Sequence, residues 1–104
     1  MQAIQSKCRM LTNNEIEQSE YLIRFEMIAK TMFVEMGAAP VTNGVNANFV
    51  REMIPNHQDA VRMSNNALQF SICPELKPIL YAIITTQSEG IRKLKLLLHH
   101  LNDC

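Results

Sequence analysis

The sequence predicts an all-α protein, a bundle of three long helices in a single domain over residues 1–104. Apolar residues recur at alternating steps of three and four, which is the spacing of one face of a packed helix. With 3 Gly and 4 Pro, the chain has too few turn residues for a β-sandwich. Capping and helix-ending residues divide it into predicted helices over residues 13–36, 46–70 and 74–101.

The limits of the first helix follow from its flanking residues. Residues 12–15 read Thr-Asn-Asn-Glu, the pattern of a capping box, so the helix is predicted to begin after Thr12. It is predicted to end at Gly37, a residue suited to a left-handed C-terminal cap. Before it, residues 1–11 place apolar side chains at helical spacing, which permits a short additional N-terminal helix.

Polar caps and prolines mark the other two helices. Asn46 or Asn48 is predicted to cap the second helix, and Pro55 within it is expected to cause a local kink. The third helix is predicted to begin around Pro74, a favoured first-turn residue, with Pro78 making that turn irregular. Short loops predict antiparallel neighbours.

Polar residues interrupt the apolar rows at one level of the predicted bundle. Asn56 and His57 interrupt the second helix, and Gln87 interrupts the third. At about 1.5 Å per residue, His57 is level with residues 90–91 of the third helix and residues 25–27 of the first. This level is the predicted site, although a buried polar network would equally serve only to fix the helix register.

The first helix is apolar on nearly every side. Its apolar residues include Leu22, Ile23, Met27, Phe33 and Val34, which point in different directions around the axis. A helix of this kind has to be covered on every side, and two neighbours from one chain cannot easily do so. We therefore expect a homodimer through the first helix; the alternative is that residues 1–11 fold back over the exposed face.

Two segments carry a resemblance to a known family. Residues 49–64 read FVREMIPNHQDAVRMS, and residues 83–91 read IITTQSEGI. They are similar to the family known as domain of unknown function 305, whose hallmark helix reads F-x-x-x-MIP-H-H-x-x-A-I-x-M and is followed by I-I-x-x-Q. The resemblance spans about residues 21–101. It implies a ferritin-like helical bundle and a role in binding soft or borderline metals such as copper.

The family pattern carries over only in part. Asn56 replaces the first His of the pair, and Leu94 replaces a Met of the later helix, so two ligands are lost. An amide is a poor metal ligand, and Leu cannot coordinate a metal at all. The positions that match the pattern are Met53, His57, Met63 and Gln87.

Imidazole and thioether groups together suit Cu(I). His57 with Met53 and Met27 is the candidate three-coordinate site, and Met63 and Gln87 lie near it on the predicted helices. The alternative is that these methionines only fill the core, which is their usual role on helices. No Glu-x-x-His pair occurs, so the sequence argues against a di-iron oxidase.

The termini and cysteines offer a weaker set of ligands. His100 and Cys104 are four residues apart and could share a helix face, although His near a helix C-terminus is also favoured by the helix dipole. None of the 3 Cys forms a CxxC pair, and Cys8 with Cys73 is the only pair expected to lie at one end of the bundle. We expect free thiols in a reducing cytoplasm.

Charge and composition narrow the class of function. Ten Lys+Arg balance ten Asp+Glu, so no basic excess favours nucleic acid. No apolar run approaches the roughly 18–20 residues of a membrane span, and residues 1–11 lack the apolar segment of a secretory signal. With no catalytic triad pattern and no Gly-rich phosphate loop, we expect a non-enzymatic cytoplasmic protein.

Overall fold

A computed structural model describes residues 12–42 and 44–101. These residues form three helices, α1 (Asn13–Ala38), α2 (Val45–Ala67) and α3 (Leu76–His100), with no strand among them. The predicted all-α class is therefore confirmed. The additional helix predicted within residues 1–11 lies outside the described residues. Of the helices in the described part, none combines the length and the apolar composition needed to cross a bilayer.

The capping box predicted at the start of α1 is present. The Glu15 amide donates to Thr12 Oγ1 at 3.1 Å, and the Thr12 amide donates to Glu15 Oε1 at 2.9 Å. Two amide groups that have no partner within the first helical turn are thereby satisfied. Local sequence is sufficient to place this helix end.

The predicted end of α1 at Gly37 is wrong. Gly37 is helical, the helix continues to Ala38, and Ala39 then turns to extended backbone with φ −62° and ψ 130°. Ala39 precedes Pro40, and the proline ring disfavours helical backbone at the residue before it. Proline, rather than a left-handed glycine, ends this helix.

The predicted asparagine cap of α2 is also wrong. The helix begins at Val45 after Gly44, which caps it without a side-chain hydrogen bond. Asn48 instead holds the preceding loop: its Oδ1 accepts from the Thr42 amide at 2.7 Å and from the Thr42 hydroxyl at 3.0 Å, and its Nδ2 donates to the Thr42 carbonyl at 2.7 Å. An asparagine one turn inside the helix thus ties that turn to the loop.

The connection between α2 and α3 is longer than predicted. The second helix ends at Ala67 rather than residue 70, and the third begins at Leu76 rather than Pro74. The amides of Gln69 and Phe70 bond to carbonyls three residues earlier, which tightens the chain into a turn. Pro78 lies in the first turn of α3. Amides in that turn have no partner within the helix, so the lack of an amide hydrogen in proline costs no hydrogen bond.

Helix α2 lies in the middle of a single layer. Both α1 and α3 pack on α2, and within the described residues they do not contact each other. The molecule measures 67 × 29 × 13 Å with a radius of gyration of 19.0 Å, whereas a compact chain of this length has about 13 Å. Among the described residues, the buried apolar side chains are only Ala47, Val50, Pro55 and Leu80. One copy of the chain therefore covers few of its apolar side chains.

Helix α1 has two apolar sides. One side packs on α2, where the Tyr21 ring meets Phe70 edge-on at 5.9 Å between centroids and the Tyr21 carbonyl accepts a bond from Asn66 Nδ2 at 3.3 Å. The other side is open, and Ile23 and Phe33 are among its exposed residues. The all-round apolar character read from the sequence thus leaves one side of α1 uncovered within the described chain.

Candidate functional site

His57 lies on the side of α2 that packs against α3. Its Nδ1 is 2.9 Å from the Met53 carbonyl oxygen. A carbonyl oxygen can only accept, so this bond requires the hydrogen of the neutral imidazole to be on Nδ1. The lone pair then resides on Nε2, which is the atom that remains able to bind a metal ion. A backbone carbonyl that orients an imidazole in this way is also the usual outer partner of a metal-binding histidine.

Gly90 lets the imidazole approach the backbone of α3. A Cβ atom built on Gly90 would lie 3.0 Å from Cδ2 of His57 and 3.4 Å from its Nε2. The first distance is shorter than ordinary van der Waals contact, so a larger residue would displace the ring or the helix. The level predicted from helix heights, His57 beside residues 90–91, agrees with this contact.

The other predicted ligands are distributed over all three helices. Met53 and Met63 are half-buried on α2, and Gln87 is half-buried on α3 one turn before Gly90. Met27 is 64% exposed on α1, where it lines an open groove with Arg62 and Asn65 of α2. Met27 is thus in the groove between α1 and α2, whereas His57 lies where α2 meets α3. Coordination by these side chains stays a prediction.

The tail histidines and the described cysteine are at the surface, as is the asparagine that replaces the first His of the family pattern. Asn56, His99 and His100 are exposed, and Cys73 is an exposed free thiol. Cys8 and Cys104, which the sequence pairs with Cys73 and His100, lie outside the described residues. In the part of the chain that the structure describes, no three His, Cys, Asp or Glu side chains come together as a metal-binding group.

Asp59 is a buried acid that the sequence analysis did not identify. It is 7% exposed, and its Oδ1 has no hydrogen-bond partner among the described residues. Burial raises the pKa of this carboxyl, nearby Arg62 partly lowers the pKa, and Glu35 of α1 adds to the rise. Arg62 donates instead to Glu35, with its Nη1 2.9 Å from Oε1. In the sequence, Asp59 could be recognised only as sharing one helical face with Asn66, seven residues later.

His57 and Asp59 therefore belong to opposite sides of α2. Two residues turn a helix by about 200°, so neighbours at this spacing point in nearly opposite directions. His57 contacts α3, and Asp59 interacts with Glu35 of α1. The two polar groups belong to separate helix contacts and form no joint site.

Comparison with known proteins identifies one relationship. The family model described as Domain of unknown function (DUF305) matches residues 46–103, more than half of the 104-residue chain. The match includes α2 except for Val45, all of α3 and the His57–Gly90 contact. Neither a curated protein nor a solved structure matches the chain.

We predict that Gly90→Ala gains less stability than Gly37→Ala. Alanine in place of a helical glycine ordinarily raises the free energy of unfolding by about 0.5–1 kcal/mol. A Cβ on Gly37 meets nothing within 4 Å, whereas on Gly90 it meets the His57 ring at 3.0 Å. Urea unfolding at one protein concentration measures both changes.

A His57→Ala background provides the control for this prediction. Without the imidazole, the gains from Gly37→Ala and Gly90→Ala are expected to approach each other. Equal gains in the wild-type background would contradict the close contact between His57 and Gly90.

We predict that Asp59 weakens the fold as the pH rises. Because its folded pKa is raised, its contribution to stability is present in acid and lost as the pH rises through the folded value. The unfolding free energy of Asp59→Asn minus that of wild type should therefore become more positive between about pH 4 and pH 7. Chemical unfolding at several pH values measures this difference.

Glu89→Gln is the matched control for Asp59→Asn. Glu89 is an exposed acid whose pKa is lowered by a hydrogen bond from Arg92, so its contribution is lost as the pH falls through the lowered value. The corresponding difference for Glu89→Gln should change in the opposite direction with pH. A pH-independent effect of Asp59→Asn would refute the raised pKa.

Proposed function

The chain belongs to the DUF305 family. We propose that it binds a soft metal ion, with copper(I) as the best candidate, through His57. The observation that carries the proposal is the hydrogen bond from His57 Nδ1 to the Met53 carbonyl. This bond holds the imidazole in one orientation and leaves the Nε2 lone pair for a metal. The imidazole is half-buried, so it is shielded in part from water.

The chemistry of the neighbouring side chains supports a soft ion over a hard one. Carboxylates dominate sites for harder metals, and the described residues hold no cluster of them with histidine. Met53 and Met63, on the same helix as His57, would supply thioethers, and Met27 of α1 would do so only if its side chain moved out of its groove. Gln87 would serve as a polar neighbour. With Asn56 and Leu94 in place of two ligands of the family pattern, we expect a weakened site.

A second candidate is a non-catalytic structural or interaction module. The sequence predicts a buried level of His57, Asn56 and Gln87, but Asn56 is exposed, so only His57 and Gln87 would fix helix packing. The protein would then act as a homodimer through α1. The observation that favours it is the open apolar side of α1, since large exposed apolar patches commonly mark interaction sites. Association through this side would bury apolar surface that the thin, elongated single chain leaves exposed.

The arrangement proposed for both candidates is an antiparallel, ferritin-like bundle. Glu35 near the end of α1 pairs with Arg62, whereas Glu17 near its start accepts bonds of 2.8 and 2.9 Å from Ser71, which follows α2. This order of contacts supports an antiparallel α1–α2 pair. A cytoplasmic location stays a prediction.

Copper(I) titration tests the first candidate. The reduced protein would compete with a chromophoric copper(I) chelator, in a background with Cys8, Cys73 and Cys104 replaced by Ser, because thiolates bind copper(I) themselves. We expect one equivalent to bind, and His57→Ala to weaken binding by about tenfold or more, a loss of about 1.4 kcal/mol. His99→Ala is the matched control, since His99 is an exposed imidazole far along α3, and it should leave binding unchanged. Absence of binding, or equal binding by His57→Ala, would refute the site.

Sedimentation equilibrium tests the homodimer. We expect the reduced full chain to sediment as a dimer at micromolar concentration, because burial of the open side of α1 is favourable. A monomer throughout the micromolar range would contradict association through α1, and circular dichroism would establish that the protein was folded.

A further inference from the structure

The open side of α1 carries a regular row of residues. Its members are separated by alternating steps of four and three, the spacing of a coiled-coil seam. The apolar members are between 42% and 67% exposed, and the two charged members are also exposed. In chain order the row is Ile16, Glu20, Ile23, Met27, Lys30 and Val34.

This row lies beside the contact with α2. Met27 lines an open groove with Arg62 and Asn65 of α2, and Ile16 and Glu20 line another with Gln69 and Phe70. The residues of α1 that are half-buried include Tyr21, Phe25, Ile28 and Met32, and they form a second row displaced by roughly 140° around the helix. Tyr21 is the residue of that row whose ring meets Phe70. The open row is therefore available for a partner without disturbing the packing of α1 on α2.

The residues of the open row are arranged symmetrically about position 25. Counting outward from position 25, Ile23 mirrors Met27, Glu20 mirrors Lys30, and Ile16 mirrors Val34. Apolar residues thus mirror apolar residues, and an acid mirrors a base. A surface with this property is complementary to a second copy of itself after a twofold rotation.

We infer that two copies of the chain associate through this row, with their α1 helices antiparallel and centred at the level of residue 25. The inference rests on the proposed homodimer and specifies its register. Glu20 then lies opposite the partner's Lys30, and Lys30 lies opposite the partner's Glu20. Ile23 packs against the partner's Met27, and Ile16 packs against the partner's Val34. The seam contains two symmetric ion pairs between apolar layers.

Other registers leave the charges unmatched. A parallel, in-register pair would place Glu20 against the partner's Glu20 and Lys30 against the partner's Lys30, so both charged layers would repel. Shifting the antiparallel pair by one heptad places Lys30 opposite the partner's Met27 for a shift in one direction and opposite the partner's Asn13 for a shift in the other. Of these arrangements, only the antiparallel one centred at residue 25 pairs both charges.

The neighbouring charges of α1 are compatible with this register. The Arg24 guanidinium lies over the Phe70 ring of its own chain, 5.4 Å from the centroid, and so is drawn toward α2. Glu26 is exposed beside the row, and the register brings it near the partner's Glu26 at the rim. Neutralising Glu26 is therefore expected to leave the dimer equally tight or tighter.

Substitution of the paired charges tests the register. The dimer dissociation constant of the reduced full chain would be measured by sedimentation, with circular dichroism to verify helix content. Glu20→Gln and Lys30→Gln should each weaken the dimer by about 3- to 10-fold, because each removes both symmetric ion pairs. Glu26→Gln is the matched control, an acid of the same helix outside the row, and should not weaken it.

Mixing charge-reversed chains gives a second, independent readout. Glu20→Lys and Lys30→Glu should each dimerise more weakly than wild type, because the pairs become repulsive. Their equimolar mixture should recover dimer, since every layer of the mixed pair joins an acid to a base. Tightening by Glu20→Gln would indicate the parallel arrangement and overturn the inference, as would a mixture that stays monomeric.

The outcomes separate the register from the homodimer itself. A wild-type protein that is monomeric at micromolar concentration contradicts both. A wild-type dimer whose affinity is unchanged by the Glu20 and Lys30 substitutions contradicts this register alone and leaves association through α1 in place.

Discussion

The packing of the described chain depends on α2, because α1 and α3 meet that helix and do not meet each other. A helix between two neighbours has to present a suitable face to each, and α2 does so with polar as well as apolar residues. Asp59, Ser64 and Asn66 are all buried along it. Each outer helix has only one neighbour within the described chain, so its far side stays open. The thin, elongated shape and the scarcity of buried apolar residues both follow from this single-layer arrangement.

The same arrangement separates the two chemically distinctive groups of the molecule. His57 approaches α3 at a glycine and is oriented by a backbone carbonyl, which is what an imidazole needs in order to present one nitrogen to a metal ion. Asp59 faces α1 and is desolvated without a hydrogen bond to one of its oxygens. The histidine is therefore the better candidate for binding. The carboxyl is better understood as a source of pH-dependent stability, since its surroundings disfavour the charged form.

Much of the fold could be predicted because its signals are local. The Thr12–Glu15 capping box depends on four adjacent residues, and it forms as expected. The errors occurred where two local signals competed. Gly37 suits a helix end, but Pro40 decides where the helix stops. Asn48 suits a cap, but its side chain bonds to Thr42 in the preceding loop. Asp59 was missed because spacing identifies a face and cannot tell how deeply that face is buried.

The sequence by itself determined the helical class, the family and the level of His57 against α3, since apolar periodicity, the MIP-x-H motif and helix rise are properties of the chain alone. Only the tertiary structure decided which neighbour each face meets. It placed Met27 in an open groove beside α2 while His57 lies against α3, and it left the row from Ile16 to Val34 exposed. The physical reason is that an apolar row specifies that burial is favourable, whereas the identity of the covering surface depends on how the helices are arranged in space.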